Sequence, residues 1–454
     1  MNLDNCPKLE DVTLLLNDGT KLEYVNFSGC DNLKTISCNN GFSDCKSLTF
    51  RDCKSLQSWD CDLNKLESAS GCFRNCKSLT SFNAKMPLST SCYEMFYGCE
   101  SLTSFTSEIP KVADCYHMFS GCKSLTSINA EFPAIWRAEN MFNGCESLEE
   151  FDASKFNYDT LTSITGLFHY CKNLKRIRGK MVLPSVADYL FYGCESLTEF
   201  DCDFSKTTSF TQTFHNCKSL ETITLSIPKV SSLYNTFGNC ESLTECNLEC
   251  PNLHSLSSTF VGCKNLRSFS IQSTKITSLN SAFSGCESLT DEVIANWEID
   301  WSKVYNANYA FNGCKSLTFI DLPKLGSNSC DCSYMFQNCS NLTTFTGDLS
   351  KVSSCYNMFN GCTNLTSFNG DLSSAGAYIG GIFEGCKLDA PSVERILSTL
   401  STSYGDMRMG IKRSAVAKFK EIVGGSTDPS ASSYNYYKQF KGRSLYVKVE
   451  DEDL

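Results

Sequence analysis

The sequence predicts a repeat solenoid in which short parallel β-strands stack rung upon rung, and three observations support this fold class. The phrase G-C-E/K-S-L-T recurs along the 454 residues, and each of 17 copies carries one anchor cysteine. Eleven of the 16 intervals between anchors are 23 residues long, and the others are 24, 26, 28, 25 and 24. Apolar residues recur at fixed positions within each copy. A unit this short cannot bury its own apolar face, so it must stack on its neighbours.

Each copy begins with a predicted strand and then returns along a second side. After the anchor Cys99, apolar residues follow at Leu102, Phe105 and Ile109, which is typical of a strand with one buried face. A proline near the eleventh position ends the strand in several copies. The later pattern Val-x-x-Cys/Leu-x-x-x-Phe predicts a second apolar seam, formed by an irregular or short helical turn. The longest copy, which starts at Cys286, has five extra residues with Trp297 and Trp301, either for core packing or for contact with a partner.

A small α/β cap is predicted at the C-terminal end, so that residues 1–387 form the solenoid and residues 388–454 form the cap. Asp389 and Pro391 are suited to start a helix whose apolar residues fall on one face. Ser414 is the expected cap of a second helix that ends at Gly424. Residues 426–433 form a polar loop, and residues 445–449 form a closing strand before an acidic end. The cap is expected to cover the open last rung.

Of the 29 cysteines, the 17 anchors and at least four in a second column are predicted to be packed, reduced thiols, and the redox state of the off-column cysteines stays open. The count is odd, so disulfides cannot pair them all. Besides the 17 anchors, a second column at offset 16 contains Cys92, Cys115, Cys330 and Cys355, where other copies carry apolar residues. Free cysteine is among the most buried residue types. No paired C-x2-C units with zinc-site spacing occur, so we expect no metal and no other cofactor.

Composition excludes several classes of function. The net charge is −10 and the isoelectric point about 5.1, so the sequence lacks the basic face of a nucleic-acid-binding protein. Apolar runs are only a few residues long, which predicts no membrane insertion. The first residues show no basic region followed by an apolar stretch, so no signal peptide is expected.

The outward face of the strands is a predicted polar ladder with one unusual rung. Arg176, Arg178 and Lys180 fall between acidic residues of the two neighbouring rungs. This pattern indicates either charge compensation across strands or a spot that binds a carboxylate or a sulfated glycan. The candidate ligand-binding residues are Arg176, Arg178, Lys180, Asp152, Asp201, Asn129 and Asn247.

Catalysis is not expected. The four histidines are scattered, although His169 and His215 share a column two residues before an anchor. Neither a glycine-rich phosphate loop nor a G-x-S-x-G elbow occurs in the sequence. We therefore predict no catalytic residues and a protein that is not an enzyme.

The motif F-x-G-C-x-S-L-T-x-I/F with its 23-residue period resembles the BspA-like leucine-rich repeats of bacterial and protozoan surface proteins. The repeats are also similar to the M-F-x-G-C-x-S-L repeats of mycoplasma lipoprotein-like proteins, as at Met95-Phe96 and Met358-Phe359. The resemblance covers roughly residues 6–387. It implies a leucine-rich-repeat solenoid, and the family contains adhesins and immune-recognition ligands.

From the resemblance and the extended repeat surface, we expect non-catalytic recognition of a protein or glycan on a cell surface. The chain would then be a bacterial adhesin or a phage receptor-binding component, located on a cell surface or a virion. The alternative is an intracellular or virion scaffold without an external receptor, for which a cytoplasmic location is also open. The oligomeric state is left open by the sequence.

Overall fold

The computed structural model describes residues 1–17, 19–39, 41–322, 325, 329–373, 378–400, 405–424, 436–441 and 443–450. The chain divides into two compact units, residues 1–220 and 221–454. Each unit is a solenoid of parallel strands, and the anchors of the two units mark about 17 turns. The predicted fold class is therefore confirmed. Among the described residues, no helix has both the length and the apolar character that crossing a bilayer requires.

Eleven short strands lie among the described residues of the first unit. They are β1 (Asp11–Leu14), β2 (Tyr24–Asn26), β3 (Thr35–Cys38), β4 (Ser47–Thr49), β5 (Ser58–Trp59), β6 (Ser81–Asn83), β7 (Ser104–Thr106), β8 (Ser127–Ile128), β9 (Glu150–Asp152), β10 (Arg176–Val182) and β11 (Glu199–Asp203). All pairings among them are parallel, in the sheets β1-β3, β2-β4, β5-β6-β7-β8 and β9-β10-β11. Strand pairing is thus interrupted between β8 and β9.

The second unit combines a solenoid with the cap. Its elements are β12 (Thr222–Ser226), β13 (Glu245–Glu249), β14 (Ser268–Ile271), α1 (Asp291–Ala295), β15 (Phe319–Leu322), β16 (Cys330–Asp331), β17 (Thr344–Asp348), β18 (Val352–Ser354), β19 (Ser367–Asp371), β20 (Phe383–Leu388), α2 (Ala390–Thr399), β21 (Gly405–Lys412), α3 (Val416–Val423), β22 (Tyr436–Phe440) and β23 (Arg443–Glu450). The solenoid sheets are β12-β13-β14, β15-β17-β19 and β16-β18.

The core is built from columns of identical residues. In the first unit, the phenylalanines three residues before successive anchors stack nearly parallel from Phe27 to Phe214, with ring centroids 5.3–5.8 Å apart. Parallel in-register strands repeat at about 4.8 Å, and aromatic rings tolerate this separation when they are offset. One 23-residue period therefore places each ring against the ring of the next rung.

The residue before each anchor explains the recurring G-C and N-C pairs. This position has a positive φ, for example 77° at Gly121 and 61° at Asn216. Glycine has no Cβ to strain there, and asparagine tolerates the left-handed region better than most residues. Tyr170, with φ 57°, is an exception in this column.

The anchor thiols have a role beyond packing, which the sequence analysis did not foresee. Cys122 donates its S–H to the carbonyl oxygen of Phe96 in the preceding rung, at 3.1 Å. The same carbonyl accepts the backbone N–H of Cys99 at 3.0 Å, so the thiol uses its second lone pair. Equivalent bonds of 3.0–3.3 Å run from Cys53 to Cys386. A small side chain that packs and also donates a hydrogen bond thus suits this position.

The second cysteine column differs from the prediction in one rung. In this column, the backbone N–H of Cys92 donates to the carbonyl of Asp114 in the next rung. In the later copy, the equivalent donor is the N–H of Cys332, which bonds to the carbonyl of Ser354, and not the N–H of Cys330. The two extra residues of this copy shift the column by two positions. Cys330 lies in β16 with its sulfur 3.5 Å from that of Cys332.

Thiol reactivity provides a test of this packing. Only Cys6, Cys38, Cys61 and Cys202 are half-exposed, and the other 25 of the 29 thiols are buried. Burial raises the pKa of Cys53 to about 12, and the thiolate is the reactive form. At pH 8 we expect Ellman's reagent to label at most these four thiols rapidly, and all 29 after unfolding in guanidinium. Rapid labelling of more than four thiols in the folded protein would contradict the buried columns.

The cap forms a second kind of sheet. β20, β21 and β23 are parallel, and β22 is antiparallel to β23, in the order β20-β21-β23-β22. The predicted boundary between residues 387 and 388 falls within β20 and remains a prediction. As predicted, Asp389 caps α2 by accepting the N–H of Ser392 at 2.9 Å. The predicted polar loop at 426–433 and the acidic end lie outside the described residues.

The start of α3 corrects one prediction. Ser414 was expected to cap this helix, but the helix begins at Val416 with Ala415 as its N-cap and without a side-chain cap. Residues 413–415 form a 3-10 turn that precedes the α-helix. Phe419 and Val423 are buried as expected.

Side chains of α2 cover the last edge of the sheet β15-β17-β19. The hydroxyl of Ser392 accepts the N–H of Phe368 at 2.8 Å and donates to the carbonyl of Thr366 at 3.1 Å. The Nε of Arg395 donates to the carbonyl of Gly370 at 3.2 Å. Unpaired strand edges promote aggregation. These bonds take the place of those that a further rung would make.

Candidate functional site

The outward strand face is polar and in register in both units. Ser58, Ser81, Ser104 and Ser127 lie opposite one another across β5 to β8. In the second unit, Thr222, Glu245 and Ser268 form the equivalent column. Their neighbours in the chain, such as Phe82 and Phe105, point into the core. The predicted alternation of outward and inward residues is therefore present.

The basic rung lies on β10, between β9 and β11. Arg176 is opposite Glu150 on one side and Glu199 on the other. The Nε of Arg176 lies 2.8 Å from one oxygen of Glu150, and the Nε of Arg178 lies 3.2 Å from the other. One carboxylate thus binds two guanidinium groups, and the side chain of Arg178 remains 64% exposed.

A bulge changes the expected neighbours of this rung. An uninterrupted register would place Asp201 opposite Arg178. The pairing instead shifts between Arg176 and Lys180, so that Asp201 lies opposite Lys180. Gly179 permits the shift with a φ of 79°. The ammonium group of Lys180 instead approaches the carboxylate of Asp203, at 3.5 Å.

Two carboxylates near the rung stabilise turns. Asp152 accepts the hydroxyl of Ser154 at 2.7 Å and its backbone N–H at 3.0 Å, and these bonds lower the pKa of Asp152. Asp203 accepts the backbone N–H of Ser205 at 3.0 Å, which lowers its pKa in the same way. Both side chains are therefore held in one orientation.

A groove of about 390 Å³ lies where β8 and β9 separate. Its lining includes Ile128 and Phe151 as well as Asn129, Asp152 and Arg178. Ile128 is half-buried, whereas the equivalent inward residues of the neighbouring rungs are buried. The repeat that supplies β9 has three extra residues, which follow the strand, and β9 keeps its pairing with β10. An apolar floor is thus surrounded by polar and charged side chains.

The structure brings together only part of the predicted site. Asn129, Asp152 and Arg178 line the groove. Arg176 lies next to them through the shared Glu150, while Lys180 and Asp201 lie beyond the bulge. Asn247 belongs to the second unit, where its amide donates to Glu245 at 2.7 Å.

Sequence reasoning did not assign Glu150, Ile128 or Lys155 to the site, yet all three line the groove. The 26-residue interval after Cys145 marks this copy as unusual, but its extra residues follow β9 and do not indicate the gap before it.

In the second unit, a groove also lies next to an over-long copy. The 28-residue copy has α1 in place of a strand, and a groove of about 580 Å³ lies beside β14. Trp297 is 8% exposed and packs edge-on against Phe269 and Phe283, at 5.0 and 5.6 Å. Trp297 thus packs against the core and also lines this groove.

Within the described part of the chain, no three His, Cys, Asp or Glu side chains form a group that could hold a metal ion. The surface features on the strand side are instead a mixed-charge rung and an open groove, which suit non-covalent contact with another molecule.

Comparison with protein families finds two matching profiles. The "BspA type Leucine rich repeat region" matches in six copies, over residues 3–115 and 163–290. The family described as "Mycoplasma protein of unknown function" matches residues 90–201 and 254–375. No curated protein sequence matches the chain.

Solved structures with some likeness are also repeat proteins. A leucine-rich repeat protein from Bacteroides ovatus is 20% identical, with a TM-score of 0.39, and the match covers 76% of this chain and 80% of that chain. A leucine rich cell surface protein from Faecalibacterium prausnitzii is 18% identical, with a TM-score of 0.35 and coverages of 69% and 83%. The T. pallidum leucine rich repeat protein is 21% identical, with a TM-score of 0.24 and coverages of 48% and 84%.

Proposed function

We propose that this chain, which belongs to the BspA-type leucine-rich-repeat family, is a non-catalytic recognition protein that binds a protein partner through its outward strand face. Repeats of this family generally act as binding scaffolds rather than enzymes. The partner is a protein exposed on a cell surface, so the chain acts as a bacterial adhesin or as the receptor-binding component of a phage. Its location is accordingly a cell surface or a virion.

The observation that carries the proposal is the groove between β8 and β9. Protein interfaces place a desolvated apolar centre inside a polar rim. Here Ile128 and Phe151 supply the centre, and Asn129, Asp152 and Arg178 supply the rim. Arginine is enriched among the residues that dominate binding energy.

The charge pattern indicates what the partner presents. Arg176 and Arg178 share one carboxylate, so the exposed guanidinium of Arg178 can bind an acidic side chain in addition to Glu150. Asp152 stands opposite Arg178 and is oriented by Ser154. The rung therefore suits a protein surface of mixed charge rather than a uniformly anionic polymer.

Binding to intact cells tests the proposal. We expect fluorescently labelled protein to stain the surface of a panel of bacterial and epithelial cells, measured by flow cytometry. The triple variant with Arg176, Arg178 and Lys180 changed to alanine should lose about tenfold in apparent affinity, equivalent to about 1.4 kcal/mol. Pretreatment of the cells with protease should lower the staining by the wild type to the level of the triple variant, because the partner bound at the rung is a protein.

A charge-matched variant controls for the loss of three positive charges. Lys54, Lys172 and Lys218 lie in the same unit and form surface ion pairs with Asp31, Glu146 and Glu195. Their triple alanine variant should bind like the wild type. Equal loss in both triple variants would remove the rung as the site, and absence of staining on every cell would favour a scaffold without an external receptor.

A further inference from the structure

The return side of the first unit carries aromatic rings that the strand side lacks. A column two residues before the anchors contains Tyr97, His169, Tyr192 and His215. The ring of Tyr192 lies 4.8 Å from that of His169 and 4.8 Å from that of His215. The ring of Tyr97 lies 6.1 Å from that of His117. Aromatic side chains therefore follow one another along this side.

A groove of about 410 Å³ lies at the start of this column. Tyr97, His117 and Asn143 line it together with Gly98, Gly121 and Gly144. This volume is within the range of small-ligand sites, about 300–1,000 Å³. The groove is separate from the one between β8 and β9, since the two share no lining residue.

The aromatic wall of the groove is held in place. The guanidinium group of Arg74 lies over the ring of Tyr97, 4.5 Å from its centroid, and is itself paired with Glu94. The ring of His117 packs edge-on against that of Tyr116, at 4.3 Å. Rings fixed in advance lose little conformational entropy when a ligand binds.

The charges around the groove cancel. Lys77 and Lys123 both pair with Glu100, at 2.9 and 3.1 Å. Glu146, which also lines the groove, pairs with Lys172 at 3.3 Å. The two lysines and two glutamates of the lining sum to zero. Burial lowers the pKa of His117, which favours the neutral imidazole.

We propose that this groove binds a neutral oligosaccharide. The rings of Tyr97 and His117 offer apolar surfaces against which the C–H faces of a sugar pack. The amide oxygen of Asn143 and the Glu100 carboxylate provide acceptors for hydroxyl groups, while the amide nitrogen of Asn143 already lies 3.3 Å from Nδ1 of His169. The charges of the lining already compensate one another, so they provide no net attraction for an ionic ligand. An uncharged, hydroxyl-rich ligand needs only hydrogen-bonding partners.

The glycine floor provides a variant that blocks the groove and preserves the backbone. Gly121 has a φ of 77°, and asparagine occupies the same position of other rungs with a positive φ, as at Asn75 and Asn239. Those two side chains lie over Gly98 and Gly262 of the next rungs. The side chain in Gly121→Asn is expected to lie over Gly144 in the same manner and fill the groove.

The experiment uses a glycan array with neutral, sialylated and sulfated oligosaccharides, followed by calorimetric titration of the purified chain with the best neutral oligosaccharide. We expect neutral glycans to bind and Gly121→Asn to weaken binding about tenfold or more, equivalent to about 1.4 kcal/mol. Asn143→Ala should also weaken binding, because it removes one amide from the wall. Circular dichroism melting curves should show that both variants remain folded.

Gly285→Asn is the matched control. Gly285 has the same φ of 77°, and in both glycines a Cβ would lie 3.5 Å from the glycine Cα of the preceding rung. This variant should bind the oligosaccharide within twofold of the wild type, about 0.4 kcal/mol. Binding only of charged glycans, binding of none, or equal losses at Gly121 and Gly285 would each overturn the proposal. The Arg176/Arg178/Lys180 variant should leave sugar binding unchanged, so this inference and the proposed protein partner fail separately.

Discussion

Replacement of Phe119 by alanine is expected to destabilise the first unit by about 3–5 kcal/mol. Phe119 is fully buried, and its ring lies between those of Phe96 and Phe142, at 5.6 and 5.7 Å. It also packs edge-on against Phe105, at 5.1 Å. The substitution therefore removes a large side chain and opens a gap in the continuous ring column. Solenoid rungs are stabilised by their neighbours, so the loss affects both adjacent interfaces.

Chemical unfolding followed by circular dichroism measures this effect. Trp136→Ala serves as the control, because it truncates a larger ring in the same unit that is 46% exposed. We expect the control to cost about 1–2 kcal/mol, less than Phe119→Ala, since about half of its apolar surface is already in water. Similar shifts of the unfolding midpoint in both variants would show that the ring column does not stabilise the unit.

The substitution Ser392→Ala is expected to cost about 1–3 kcal/mol and to loosen the cap. Ser392 is 2% exposed, and its hydroxyl satisfies the N–H of Phe368 and the carbonyl of Thr366. Alanine leaves the Phe368 N–H buried without its present acceptor. The edge of β19 should then open more often, and association through the uncovered strand should increase.

Hydrogen exchange of the β19 amides and size-exclusion chromatography test this expectation. Ser398→Ala is the matched control on the same helix, because Ser398 is exposed and its hydroxyl donates locally to the carbonyl of Arg395 at 3.0 Å. Exchange at Phe368 should accelerate in Ser392→Ala and remain unchanged in Ser398→Ala. Unchanged exchange in both variants would contradict the role of α2 in closing the sheet.

The local features of the fold follow directly from the sequence. The strand at Phe105, the buried anchor Cys122 and the cap of α2 at Asp389 were all predicted, because each depends on residues within one repeat or one turn. The structure places the start of α3 within one turn of the predicted start. The pairs G-C and N-C mark the left-handed position before the anchor, and the φ angles show why these residues occur there.

The candidate sites depend on contacts between repeats, and these were only partly predictable. The sequence placed Arg176 and Arg178 beside Glu150, but it did not reveal the bulge that moves Asp201 opposite Lys180. It counted the extra residues after Cys145 without indicating that β8 and β9 would separate over Ile128. Register and strand separation are decided by many weak contacts at once, which no single repeat encodes.

The 23-residue period alone determined that this protein is a parallel solenoid with phenylalanine and cysteine columns, because each repeat must bury its apolar face against an equal neighbour. Only the tertiary structure decided where pairing between rungs fails and which exposed side chains meet. The groove at Ile128 arises from a lost strand pairing, and the groove at Tyr97 arises from rings and glycines of three successive rungs. Periodicity fixes what is the same in every rung, whereas both grooves arise from how particular rungs differ.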